Sequence, residues 1–130
     1  MKILAVDDNA TNLEIIKVLL RTTGFPVLEA TSGETAVEVA LRERPALIFM
    51  DLSMPGALDG LEATRRIKAK LSPAPVIIAL TAMVTDGDQN QALAAGCDDF
   101  IRKPYTRREL LTLMAKHCPG LSFKMPATRR

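Results

Sequence analysis

The sequence predicts an α/β domain: a doubly wound, five-stranded parallel sheet with helices on both faces. Five short apolar runs, at residues 3–6, 25–29, 47–50, 76–80 and 99–102, alternate with five segments of helical periodicity. Regular strand–helix alternation implies parallel strands, because right-handed crossovers place the helices on the two faces of one sheet. The runs ILAV, LIFM and VIIAL are continuously apolar rather than alternating, the pattern of strands covered on both sides. The second and fifth runs are more mixed, which suits sheet edges.

Each helix carries its own start and stop signals. Leu13, Ile16, Leu19 and Leu20 recur at three- and four-residue spacing, and Gly24 stops the first helix. Thr31 and Glu34 form a capping-box pattern ahead of Ala36, Val37, Val39, Ala40 and Leu41, which run out before Pro45. Leu61, Thr64, Ile67 and Leu71 mark a third helix, closed by Pro73 and Pro75. Thr85 and Asp88 open a fourth, with Leu93 expected on its inner side and Gly96 as its stop. Thr106 and Glu109 repeat the capping box before Leu110, Leu113 and Met114, and Pro119-Gly120 end the fifth. Residues 121–130 carry no period. The expected organisation is one domain over residues 1–118, followed by a tail or linker at 119–130.

Composition narrows the classes of function. At 130 residues, the chain can bury one core large enough to fold without metal or disulfide support. Its 48% apolar and 25% charged residues are ordinary for a soluble globular protein. A net charge of +2, with both signs interspersed along residues 62–70, describes a solvated helix face rather than a nucleic-acid or membrane surface. Cys97 and Cys118 form no CxxC pair and His117 is the single histidine, so neither a disulfide framework nor a zinc site is expected. No stretch has a signal-peptide pattern or approaches the ~20 apolar residues of a membrane span, so a cytoplasmic protein is expected.

In an open doubly wound sheet, ligands bind beyond the carboxyl ends of the strands. Strand one ends in Asp7-Asp8, strand three in Asp51 and strand four in Thr81, and strand five runs into Lys103-Pro104. Strand two ends at Glu29-Ala30 and offers no such group. Three carboxylates on one rim repel one another unless a cation compensates, and an all-oxygen set suits Mg²⁺. A carboxylate can also attack phosphorus to give an aspartyl phosphate, a reaction that mainly needs positioning and charge stabilisation. A metal, an ammonium and a hydroxyl around Asp51 supply both. Taken singly, each residue has a plainer reading. Asp8 or Asn9 could be a helix cap, Asp51 a turn former, Thr81 a loop hydroxyl and Lys103 a surface lysine. The joint placement, four of five strands delivering the required group to one rim, favours a phosphoryl-acceptor site. The GxGxxG and GxxxxGK[ST] patterns are absent, which removes support for dinucleotide or nucleoside-triphosphate binding. An aspartate-nucleophile phosphatase would need a substrate pocket or cap for which this length leaves no room.

VDDN at 6–9, FMDLSMP at 49–55, ALTA at 79–82 and FIRKP at 100–104 resemble, in this order and spacing, the response-regulator receiver domains of two-component signalling. The resemblance spans about residues 1–118 and implies the (βα)5 flavodoxin-like fold of the chemotaxis regulators, with strand order 2-1-3-4-5. It implies phosphorylation at Asp51, with Asp8 and Asp51 contacting Mg²⁺ directly, Asp7 largely through water, and the Ser53 carbonyl as a further ligand. Thr81 and Lys103 would bind phosphoryl oxygens, Phe100 would be the aromatic switch residue, and the Lys103–Pro104 bond would be cis. The phosphodonor would be a histidine kinase or a histidine phosphotransfer protein docking beside the first helix. A downstream output protein would meet the face of helix four, strand five and helix five around Phe100. Neither nucleic acid nor membrane is an expected direct partner. The domain would assist only its own phosphorylation and dephosphorylation, so it is not an enzyme in the usual sense. The alternative is a pseudo-receiver that binds partners without being phosphorylated. The loop around Gly56-Ala57 is one residue longer than the family pattern, and Met83, two after Thr81, stands where members tune hydrolysis. Asn12 after VDDN resembles the receivers of hybrid kinases, whereas Met1 directly before strand one suits a free-standing regulator.

Overall fold

The structure is a computed structural model that describes residues 2–52, 54, 59–82 and 86–118. In chain order it runs β1 (Ile3–Val6), α1 (Ala10–Leu20), β2 (Val27–Ala30), α2 (Gly33–Glu43), β3 (Leu47–Asp51), α3 (Gly60–Lys70), β4 (Val76–Thr81), α4 (Asp86–Ala95), β5 (Asp99–Arg102) and α5 (Arg107–His117). All neighbouring strands pair in parallel, in the order β2-β1-β3-β4-β5. The predicted fold class and strand order are those observed.

Successive side chains of a strand point to opposite faces, so each central strand feeds two cores at once. Leu4, Val6, Ile48, Met50, Ile77 and Ala79 join Ala36, Ala40, Ala63 and Ile67 under α2 and α3. Ile3, Ala5, Leu47, Phe49, Ile78 and Leu80 join Leu13, Ile16, Leu20, Leu110 and Met114 under α1 and α5. Each fully buried valine, leucine, isoleucine, methionine or phenylalanine among them stabilises the fold by about 1.5–3 kcal/mol. The continuous apolar runs are thus explained by two-sided burial.

Several boundaries differ from expectation for local reasons. β2 begins at Val27 rather than Phe25, because Pro26 has no N–H and only its carbonyl serves the sheet, accepting from the Ile3 N–H at 2.9 Å. The N-cap of α2 is Ser32, whose Oγ accepts from the Thr35 N–H, so the box expected at Thr31 and Glu34 lies one residue early. Glu34 instead sits in the first turn, where its charge suits the helix dipole. Leu93 is half exposed rather than inward: α4 turns Ala92 and Ala95 to the core, and one residue further round the helix Leu93 faces out. The Thr106–Glu109 capping box forms in full. α1 tightens into a short 3-10 turn over Arg21–Thr23, and Gly24, at φ 77°, ends it in the left-handed region where a Cβ is disfavoured. Thr85 and Pro119-Gly120, expected at helix ends, lie outside the described residues, as does the tail.

Candidate functional site

β3 and β4 each extend one residue further than the apolar runs, so Asp51 and Thr81 are the last strand residues and not loop residues. Both are buried, at 2% and 8% exposure. Asp51 lies beside Leu80 in the register, so the ends of β3 and β4 are level. Asp7 follows β1 directly and is also buried, while Asp8 is exposed at the rim. Lys103 comes off β5 with its N–H donating to the Thr81 carbonyl at 2.8 Å, which anchors the loop against β4. The Lys103–Pro104 bond is cis, as expected.

The side chains converge as the strand ends require. The Lys103 ammonium lies 3.1 Å from Asp7 Oδ2 and 3.5 Å from Asp51 Oδ1. Asp7, Asp8 and Asp51 each offer a carboxylate oxygen, and these three oxygens lie within 4.8 Å of one another. One ammonium, in contact with Asp7 and Asp51, therefore offsets only part of the charge of three clustered carboxylates, an arrangement that attracts a further cation. Ligand oxygens around an octahedral Mg²⁺ stand about 2.0–2.1 Å from the ion, hence about 3–4 Å apart, so small side-chain movements bring these three to one ion. The donor set, all carboxylate oxygen, is that of a hard divalent cation. Ser53, expected to add a carbonyl, and Gly56-Ala57 and Met83 lie outside the described residues.

Phe100 is half-buried and packs against the core under α3 and α4. With Leu52, Thr81, Asp88, Gln89 and Ala92 it surrounds a small gap with no room for a water. Thr81 and Phe100 are thus neighbours.

Three further residues border these acids and were not singled out as neighbours of the site from the sequence. Gly60 opens α3 against the end of β3, and a Cβ there would run into the Asp51 carbonyl oxygen. The Asp59-Gly60 dipeptide reads as a turn signal, and only the fold shows the close approach. Tyr105, the single tyrosine of the chain, is half-buried beside the acids; burial first, then the charges of Asp7 and Asp51, push its phenol up to about 12. Asn12 directs its side-chain amide at Asp7 Oδ1 across 3.5 Å. Asn12, Ile15, Lys103, Pro104 and Tyr105 line a cleft of about 260 Å³ that opens beside the acids.

The model of the response regulator receiver domain family matches residues 3–115. The chain belongs to that family. As a receiver domain it is 36% identical, over 99% of its length, to the sensor protein GacS of Pseudomonas syringae pv. syringae, of which it covers 14%. It is similar in structure to the receiver domain of the sensor histidine kinase PA1611 of Pseudomonas aeruginosa PAO1, with a TM-score of 0.80 and 40% identity. That likeness covers 88% of this chain and 94% of the other, whose crystal structure has a magnesium ion coordinated in the active-site cleft. A second likeness, with a TM-score of 0.80 and 32% identity over 89% of this chain and 87% of the other, is to a Saccharomyces cerevisiae co-crystal. It contains the histidine phosphotransfer protein Ypd1 and the receiver domain of its downstream response regulator Ssk1. The chain spans about 11% to 48% of the length of curated relatives that include GacS, the osmosensing kinase SLN1 and the response regulator MprA. Receiver domains are signalling switches, and among the described residues no helix is long and apolar enough to cross a membrane.

Proposed function

We propose that Asp51 accepts a phosphoryl group and that Asp7, Asp8 and Asp51 hold the Mg²⁺ this transfer needs. The observation that carries the reading is the Lys103 ammonium set between Asp7 and Asp51, with the Asp8 carboxylate beside them and Thr81 at the neighbouring strand end. Bound there, Mg²⁺ would neutralise charge on the transferring phosphoryl group. A carboxylate oxygen of Asp51 attacks phosphorus as the bond to the donor's leaving atom breaks, and that atom keeps the electron pair. The product carries three acceptor oxygens where a carboxylate stood. Lys103 pairs with one of them and the Thr81 hydroxyl donates to another. Thr81 then draws away from Phe100 and the aromatic ring follows, which alters the surface of α4, β5 and α5. The domain assists its own phosphorylation and dephosphorylation and acts on no separate substrate.

The phosphodonor is a histidine kinase or a histidine phosphotransfer protein. Ile15 and Val18, exposed at 47% and 43% on α1, form an apolar strip next to the acidic rim for it to dock on. Ssk1, bound to Ypd1 through the same fold, supports a partner of this kind. The output is a further protein recognising the face around Phe100, and the site of action is the cytoplasm. All the polar groups that a pseudo-receiver would lack are in place, which favours the phosphorylated switch.

The test is intact-mass measurement after incubation with phosphoramidate or acetyl phosphate, with and without Mg²⁺, alongside Asp51→Asn. One added phosphoryl group that requires Mg²⁺ and is absent from the variant is the expected result. No addition would sink the reading, and addition that persists in Asp51→Asn would move the acceptor elsewhere.

A further inference from the structure

Asn12 has no role in the phosphoryl-transfer scheme, yet its place in the fold is tightly defined. Asn9 caps α1 by accepting the Asn12 N–H on its side-chain oxygen at 3.0 Å, and its carbonyl accepts the Leu13 N–H at 3.1 Å. The first turn is thereby fixed, and the half-buried Asn12 carboxamide is carried to within 3.5 Å of Asp7 Oδ1. The same oxygen accepts the Asn9 N–H at 2.9 Å, while Oδ2 faces Lys103 at 3.1 Å. Asp7 is 3% exposed, so water has little access to steady it. Its two oxygens are divided: one is turned to donors at the start of α1, the other to the acidic rim.

We propose that Asn12 is a positioning residue. By donating from Nδ2 to Asp7 Oδ1 it holds the carboxylate with Oδ2 toward the position shared with Asp8 and Asp51, and so strengthens Mg²⁺ binding. A neutral amide suits this place. A carboxylate there would repel Asp7, and an ammonium would compete with the metal; the amide supplies a donor without altering the charge of the rim. The inference rests on the reading that these acids hold Mg²⁺.

Mg²⁺ titration by calorimetry and phosphoramidate labelling across a Mg²⁺ series, on wild type, Asn12→Ala and Asn12→Gln, test it. Loss of one donor to a buried carboxylate should weaken Mg²⁺ about three- to tenfold in Asn12→Ala and raise the half-saturating Mg²⁺ for labelling by the same factor. The labelling rate at saturating Mg²⁺ stays at the wild-type value, a split that a merely structural role would not give. Asn12→Gln, with the same amide one methylene further out, recovers part of the affinity. An Asn12→Ala affinity equal to wild type, a rate deficit that saturating Mg²⁺ does not restore, or an Asn12→Gln no tighter than Asn12→Ala each overturns the proposal. Wild type that shows no Mg²⁺-dependent labelling fails the underlying reading instead, so the two failures are distinct.

Discussion

Replacing Gly60 with alanine tests how firmly the acceptor strand is held. Within a helix, Gly→Ala ordinarily stabilises by about 1 kcal/mol. Here the added Cβ would meet the Asp51 carbonyl oxygen, the Leu52 Cα at 3.0 Å and the Asp51 carbonyl carbon at 3.1 Å. All three are main-chain atoms at the end of β3, where Asp51 pairs with Leu80 of β4 and the next residue's N–H, that of Leu52, donates to the Leu80 carbonyl. The strand cannot retreat, so α3 must lift. Overpacking of this kind costs about 1–3 kcal/mol, and three immobile neighbours place it at the upper end. Less the helix-propensity gain, Gly60→Ala should lose about 2 kcal/mol. For a domain of this size that lowers the melting temperature by roughly 8 °C. Urea unfolding followed by far-ultraviolet circular dichroism would show a lower midpoint with an unchanged slope. Phosphorylation should slow as well, because the displaced backbone carries Asp51. Gly24→Ala is the comparator: its φ of 77° makes a side chain strained, but no atom lies within 4 Å. It should cost about 1–2 kcal/mol and leave phosphorylation untouched. A Gly60→Ala protein as stable as wild type would refute the close approach.

Lys103→Met removes a cation that competes with the metal, and should tighten Mg²⁺ by about tenfold in a calorimetric titration; unchanged affinity would show that the ammonium is not felt at the metal position. Burial pushes the Asp99 carboxyl up, but hydrogen bonds from His117 Nε2 at 2.8 Å, the Phe100 N–H and the Lys116 ammonium outweigh it and hold the group below the ordinary carboxylate range. A lowered folded value stabilises the protein above the unfolded value of about 3.9 and is lost as pH falls through the folded one, so the melting-temperature gap between wild type and Asp99→Asn should hold at neutral pH and close below about pH 4. A gap that widens with acid would contradict that sign. Thr106→Ala removes the hydroxyl that accepts the Glu109 N–H, leaving the Thr106 N–H to Glu109 Oε1 half of the α5 capping box, and should cost about 1 kcal/mol in urea unfolding.

The sheet was legible in the sequence because its central strands are buried on both faces, and a strand so placed must be apolar at every position. β1 and β5 match the expected bounds, and β3 and β4 differ only by including Asp51 and Thr81. Those polar residues interrupt the apolar run yet still pair in the ladder, so hydropathy stops one residue short of the backbone. The site was legible for a related reason: parallel strands start together and end together, so Asp7, Asp51, Thr81 and Lys103 had to share a rim. Less could be read where contact depends on the path of a helix. Leu93 looked inward, but small alanines at 92 and 95 let α4 settle with its smaller side down. Thr31 and Ser32 are both competent caps, and the choice between them follows from where β2 releases the chain. Gly60 meets Asp51 across a gap in the sequence, while Asn12 and Tyr105 lie close in sequence to Asp7 and Lys103 and are placed by the path of the backbone rather than by any apolar period.

Asp7 and Lys103 meet across 96 positions of chain, and the acids of the rim come from the ends of two strands, Asp7 and Asp8 after β1 and Asp51 at the end of β3. No segment shorter than nearly the whole domain can assemble that contact, so it closes late in folding, after the loop entropy of the intervening βα units has been spent. The unfolded chain has no counterpart of the site, and whatever cation binds there binds the finished fold alone. At a hundredfold excess over its dissociation constant such an ion would add about 2.7 kcal/mol to the unfolding free energy. The rim that would receive the phosphoryl group is, in this sense, also a checkpoint for completion: a chain cut or stalled before Lys103 would have its acids and no means of holding them together.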